Sequence, residues 1–460
     1  MATLCCGPFG SPAALASNDL PSTPTSPVAV TLRQDQSSNP LLPAKPNWLA
    51  ECALTVKESY DDNVFLSGVE PRYLPASYIV PAGSAPALEG RSSWVTCVSP
   101  KIRLDAAPVL GVSDLSTLSV SYAPDFAVYH QTSSESYDLH RAVAAVKSKA
   151  GPISCSLDNT FGYIHGSTEG PTYPGAFLSA YGTATLRDHR EQLQDRGTAT
   201  LRYDWHQWFV RPTASAQYFD YRTQKQNVSG YQNYSDRYDV NGGADVGCQI
   251  SPSLAATLGY RRGYQYQEQF DFTPYSSPSD YHRLLIGFEG KPWRCLDFKL
   301  QAGPDFRHYP ADTAVHVTPV ADKDPVKYYA EASIGFTPTK EDAFNIKYRQ
   351  YQWVSTIGKV PLFDSTFDLS YRRKLTDTVS LDVGAQALDS DYTSGDLATC
   401  RRNDWQYTLS ATLGWAASKH LALNAGYAAI LGRNAQENLA DAFLREYDRN
   451  VVSLGMTVCW

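Results

Sequence analysis

The chain has 460 residues, 43% hydrophobic and 19% charged, with 30 Tyr and 30 Gly against 2 Met. Its net charge of -7 carries no basic excess and argues against nucleic acid as a partner, and no stretch approaches the ~20 apolar residues of a membrane helix. Neither test detects a membrane β-barrel, whose strands alternate lipid-facing apolar with lumen-facing polar residues and average out as neutral.

The N-terminus "MATLCCGPFGSPAALAS" carries a modest apolar stretch, then Ala14-Leu15-Ala16 before Ser17, the small-residue pattern of a secretory cleavage site. The first basic residue is Arg33, so the usual basic n-region is missing. The expectation is a signal peptide over 1–16, truncated at its start; a disordered tail is the alternative. Cys5 and Cys6 lack the residues of a lipidation box. Residues 17–47, rich in Pro, Ser and Asn, read as an unstructured leader.

From Trp48 onward the period is two. The alternation predicts an all-β, antiparallel up-and-down transmembrane barrel over 48–460 with about eighteen strands, sixteen being the alternative. They fall near 49–66, 91–105, 115–130, 138–150, 152–166, 196–210, 211–225, 234–250, 253–269, 279–290, 294–308, 325–338, 342–357, 363–374, 377–391, 400–416, 419–433 and 446–460. Tight turns such as "KAGP", "VRPT", "ISPS", "GKPW" and "AASKH" follow the even strands, and longer polar stretches such as "GSTEGPTYPGAFLSAYG" and "KQNVSGYQNYSD" follow the odd ones. Short periplasmic turns at one rim and longer extracellular loops at the other are the arrangement of an outer-membrane barrel. A soluble sandwich has no reason to keep that parity. With an even strand number both termini lie at the short-turn rim.

The closing "RNVVSLGMTVCW" puts Val452, Leu454, Met456, Val458 and Trp460 in one apolar row. Trp460 is expected in the aromatic girdle with Trp205, Phe209, Trp293, Tyr348, Trp405, Trp415 and Tyr427. The opposite, pore-lining row collects Arg202, Asp204, Arg237, Asp239, Asp245, Arg261, Arg283, Glu289, Asp297, Lys299, Asp305, Arg307, Glu331, Lys347, Arg349, Asp364, Asp368, Arg372, Asp382, Asp404 and Arg449. A water-filled lumen holds such charges at little cost, whereas lipid would penalise Arg or Lys by about 2–4 kcal/mol at mid-depth. The alternative is that these charges cross-pair and plug the interior.

No motif nominates an enzyme. The nine histidines form no HxxxH pair and none lies near paired cysteines, so neither a metal nor another cofactor is expected. The nine cysteines are scattered and read as small hydrophobes. Asp61, Asp62 and Asn63 could bind Ca2+ through oxygen ligands, but with no third carboxylate they read as polar residues ending the first strand.

"TVKESYDDNVFLSG", with its Asp-Asn opening, resembles the first strand of the beta-barrel porin 2 type of bacterial outer-membrane proteins. "LSVSYAPDFAVY", "WFVRPTASAQYFDY" and "DSTFDLSYRRKLTD" are similar to stretches of the same group. The resemblance implies a barrel in the bacterial outer membrane, in contact with its lipids and delivered by the barrel-assembly machinery, which reads the C-terminal strand. The expected function is passive diffusion of small hydrophilic solutes or saccharides. A non-conducting receptor, adhesin or polysaccharide-export barrel is the alternative, and a soluble all-β carbohydrate-binding protein a third.

Overall fold

The computed structural model describes residues 46–64, 92–166, 191–221, 236–268, 278–310, 324–354, 361–392, 402–436 and 447–460. The expected signal peptide and all of the leader up to residue 45 lie outside them. The described strands are β1 (Leu49–Asp61), β2 (Ser93–Asp105), β3 (Leu115–Tyr122), β4 (Asp125–Tyr129), β5 (Tyr137–Ala150), β6 (Ile153–His165), β7 (Gln192–Trp205), β8 (Trp208–Tyr221), β9 (Arg237–Ser251), β10 (Leu254–Gln267), β11 (Ser279–Trp293), β12 (Leu296–His308), β13 (Val326–Phe336), β14 (Asp342–Val354), β15 (Pro361–Lys374), β16 (Val379–Tyr392), β17 (Arg402–Ala416), β18 (Leu421–Gln436) and β19 (Tyr447–Cys459). A one-turn helix, α1 (Ala107–Leu110), sits between β2 and β3.

Every neighbouring pair is antiparallel, and β1 pairs with β19, so the sheet closes on itself. Segments β3 and β4 share one place in the wall, since β2 and β5 each pair with both of them. The break falls at Ala123-Pro124, where proline has no N–H for the ladder. The 19 segments therefore make a barrel of 18 strand positions.

The strands lie close to the ranges that alternation assigns, with one displacement. The turn expected at "VRPT" lies earlier, at His206-Gln207, where Trp205 pairs with Trp208 and His206 takes φ 56°. Pro212, which suggested a turn, instead lies within β8, and the β7–β8 ladder is interrupted opposite it. At the β11–β12 turn the register shifts between Gly290 and Trp293. Gly290 has φ 156°, and a Cβ there would come within 2.1 Å of the Ser253 carbonyl oxygen.

One row of each strand faces outward and is mostly apolar, with Leu54, Val120, Leu157, Val246, Leu258, Ile286, Leu409 and Leu454 among its exposed members; toward the long-loop rim it also carries Glu58, Arg262, His282 and Asp280. The other row faces inward and carries most of the charges. A closed wall with an apolar exterior and a polar interior is a transmembrane barrel of the outer-membrane type, because closure leaves no unpaired strand edge in lipid. Aromatics mark both edges of the band. Trp205, Trp293 and Trp415 are exposed at the short-turn rim, and Tyr60 against Trp94 (5.3 Å between ring centroids) and Tyr238 against Tyr266 (4.9 Å) lie toward the other rim.

The seam between β1 and β19 is latched at its long-loop end. Arg449 Nε donates to both carboxylate oxygens of Asp61 (3.1 and 3.0 Å) and its Nη2 donates to Oδ2 (2.6 Å). Asp62 accepts from the backbone N–H of Asn450 (2.7 Å) and from its side-chain amide (2.8 Å), and Asn63 Nδ2 donates to the Asp448 carbonyl (2.8 Å). The Asp-Asp-Asn stretch is thus a clasp between the first and last strands. The charges of Asp61 and Arg449 are both buried.

Removing one member of a buried, hydrogen-bonded pair costs about 3–5 kcal/mol. Arg449→Ala is expected to lower the urea midpoint of the protein refolded in lipid vesicles, and Asp61→Asn with Arg449→Met to recover part of the loss; tryptophan fluorescence reads both. The facing of the wall has its own test. Leu409→Arg, outward at the middle of β17, is expected to lose about 2–4 kcal/mol, whereas Ser370→Arg, inward and exposed on β15, leaves assembly intact; heat-modifiable mobility in SDS gels reads this.

Candidate functional site: the charged lumen

The inward row contains every charge named as pore-lining whose side chain lies within the described residues; the Asp404 side chain lies outside them. Ladder registers place these residues on one face: Lys347 opposite Asp368, Glu331 opposite Arg349, Lys299 opposite Ser333, and Arg283 opposite Asp305. Of the aromatics assigned to the girdle, Trp205, Trp293, Trp405, Trp415 and Trp460 lie at strand ends on the outward parity. Tyr348 and Tyr427 also face outward but lie within their strands, in the apolar band rather than at its edge.

Phe209 is the exception. It is 1% exposed, faces the interior, and packs under the Arg202 guanidinium, whose Cζ lies 3.7 Å from the ring centroid. Its sequence assignment extended β7 past residue 205. A two-residue hairpin puts residues 205 and 208 on one face, so the parity flips after the turn and Phe209 turns inward.

The same displacement hid Arg211, which is the centre of the first of two polar networks. Arg211 Nη1 donates to Glu289 on β11 (2.8 Å), and its Nε donates to Asp245 on β9 (3.0 Å). Arg261 on β10 reaches the other oxygen of Asp245 (2.7 Å), and Arg202 on β7 joins Glu289 (3.3 Å) and Asp204 (2.9 Å). From β7 to β11 the wall runs about 19 Å at ~4.8 Å per strand. An ion pair between those strands therefore bridges the inner side of the curve, and it narrows the lumen there.

The second network lies nearer the long-loop rim. Arg283 Nε donates to Asp305 (2.6 Å) with its guanidinium over the rings of Tyr281 (4.2 Å) and Tyr329 (4.5 Å). Tyr281 donates to Asp239 (2.9 Å). Arg307 links Gln265 (2.5 Å), Ser279 (3.1 Å) and the Gln352 carbonyl (3.0 Å), and Gln352 Nε2 donates to Tyr309 (2.8 Å). Tyr281 and Tyr309 are 0% exposed. This layer spans β9 to β14 and fills part of the interior.

Several of the remaining charges have local partners. Arg237 stacks over Phe219 (4.9 Å), Arg372 pairs with Asp382 (2.5 Å), Asp368 accepts from Gln386 (2.5 Å), Asp364 accepts from Ser390 (2.6 Å), and Asp297 meets Lys291 (2.9 Å). On the opposite wall Asp125, which the sequence reading passed over, takes Arg141 and the Ser99 hydroxyl. At the short-turn end of β13 to β15 the inward Ser333, Asn345 and Ser370 are exposed. The interior is thus open to water at that end and filled toward the other.

A cavity of about 380 Å³ lies between the two networks, bounded by Arg211, Asp245 and Arg261 on one side and Arg283 and Tyr329 on the other. Among the described residues no group of His, Cys, Asp and Glu is arranged to hold a metal ion.

No protein-family model and no curated protein sequence matches the chain. Solved structures of outer-membrane proteins align along most of it. OpdK of Pseudomonas aeruginosa with vanillate shares 10% identity over 89% of this chain and 98% of its own, with a TM-score of 0.40. OccK2 (OpdF) of the same organism in complex with glucuronate shares 9% over 89% and 98%, at 0.39. The siderophore receptor PirA of Acinetobacter baumannii shares 8% over 89% of this chain and 80% of its own, at 0.38. Likenesses this distant carry no solute or activity across to this chain.

Proposed function

We propose that the chain is a porin-like barrel of the bacterial outer membrane through which small hydrophilic solutes, saccharides included, diffuse passively. The observation that supports this reading is the interior: a row rich in charges, amides and hydroxyls on most strands, open to water at the short-turn rim, with a polar chamber midway. The inward charges line the path, and the opposed networks of Arg211 and Arg283 set its narrow points. The aromatic-ended β19 is the segment the barrel-assembly machinery would read, and the outward apolar band meets lipid. The reading assigns the wall no catalytic group.

One observation favours a second reading. The dense layer of Tyr281, Arg307, Tyr309 and Gln352 would suit a barrel closed toward the long-loop rim and acting as a receptor.

Planar bilayers separate the two. The channel reading predicts stepwise ion conductance from the purified, folded protein in KCl, and a protein that inserts without conducting at any voltage supports the receptor. Glu289 neutralises Arg202 and Arg211 at the first network, so Glu289→Gln is expected to shift the reversal potential in a KCl gradient toward anions by about twofold in permeability ratio. Unchanged selectivity would place the conduction path away from that network.

A further inference from the structure

Six basic side chains line the chamber between the two networks, beside the carboxylates Asp158, Asp195, Asp245 and Glu331. Arg211 and Arg261 share Asp245, and Arg283 is held by Asp305. Three further cations line the same space: Arg196 on β7, Lys299 on β12 and Arg349 on β14. Among the described residues none of the three has a carboxylate within ion-pair distance. Glu331 lies opposite Arg349 in register, but it accepts hydrogen bonds from Gln301 (2.9 Å) and Tyr329 (2.8 Å) instead.

The unused hydrogen-bonding groups are specific ones. Arg349 Nε and Nη1, Arg196 Nη1 and Gln217 Nε2 are buried donors that meet no acceptor, and Gln194 Oε1 is a buried acceptor that meets no donor. All four residues line the cavity. Arg196 and Gln217 are direct neighbours across the β7–β8 ladder, while Arg349 approaches from β14. A buried donor without an acceptor is destabilising, more so when charged, so a ligand that supplies acceptors there is favoured. Guanidinium forks match the two oxygens of a carboxylate. Amide groups beside them match hydroxyls, which both donate and accept. The volume is in the range of small-ligand sites.

We propose that this chamber binds a hydroxylated organic acid of sugar-acid size, its carboxylate on Arg196 and Arg349 and its hydroxyls on Gln217 and Gln194. The inference rests on the solute-channel reading and names its substrate class. Lys299 on β12 faces the same space and has no ion-pair partner among the described residues.

The experiment is isothermal titration of the full-length, detergent-folded protein with potassium gluconate, glucose and inorganic phosphate, beside bilayer conductance of the same preparation. Gluconate is expected to bind, glucose to give no measurable heat, and phosphate to bind at least several-fold more weakly. Arg196→Gln with Arg349→Gln is expected to weaken gluconate at least tenfold with heat-modifiable mobility unchanged. Gln217→Met, which keeps both arginines, is expected to weaken gluconate but not phosphate, and it serves alone if the double variant does not fold. The proposal is overturned if gluconate gives no heat, if glucose or phosphate binds as tightly as gluconate, or if neither variant alters gluconate binding. Gluconate binding without KCl conductance would instead remove the channel reading and leave the site standing in a closed barrel.

Discussion

In hydrocarbon a backbone N–H or C=O without a partner costs several kcal/mol, and no water is present to relieve it. The pairing of β1 with β19, from Ala53 opposite Cys459 to Asp61 opposite Val451, removes the last free edge of the sheet. All other features follow from that closure. It separates an outside from an inside, and the two-residue period then sorts every strand into an apolar face for lipid and a polar face for the lumen. The clasp of Asp61, Asp62 and Asn63 on Arg449 and Asn450 sits where the two ends of the chain must find each other across nearly four hundred residues. Long-range pairing of this kind is slow and entropically costly, so a charged, multiply hydrogen-bonded lock at the seam has a physical purpose.

Much of the wall was legible because alternation is a strong signal when both environments are extreme. Leu409, Ala411 and Leu413 against Thr408, Ser410 and Thr412 leave one choice of facing, and the ladders of β16, β17 and β18 adopt it. Eighteen strand positions and the inward charges could be read in this way. The error at Phe209 shows the limit of the method. Alternation has no memory across a hairpin, so a turn misplaced from residue 206 to residue 210 assigns the residues between to the wrong face. Pro212 suggested the later turn, since nothing local marks a proline as one tolerated at an interruption of a ladder.

The networks inside the lumen were not legible. Parity says that Arg202 and Glu289 both face inward, but it does not say that strands four positions apart bring them within 3.3 Å. That depends on how the wall curves, which is a property of the closed sheet rather than of any one strand. The role of Asp61 was hidden for the same reason, because its partner lies 388 residues away. Mixed charge in the lumen, read from sequence as either a pore or a plug, turns out to be layered. Two cross-linked layers hold Asp204, Asp245, Glu289, Asp239 and Asp305, and the space between them carries Arg196, Lys299 and Arg349, which make no ion pair among the described residues.

The central claim is that one face of every strand meets water inside the barrel and the other meets lipid. The most direct test scans single cysteines through β17, at Thr408, Leu409, Ser410, Ala411 and Thr412, in a background with the native cysteines replaced by serine or alanine and the protein inserted in vesicles. A membrane-impermeant, water-soluble thiol reagent is expected to label Thr408→Cys, Ser410→Cys and Thr412→Cys, and to leave Leu409→Cys and Ala411→Cys unmodified. Equal labelling of all five, or labelling confined to positions 409 and 411, would contradict the account.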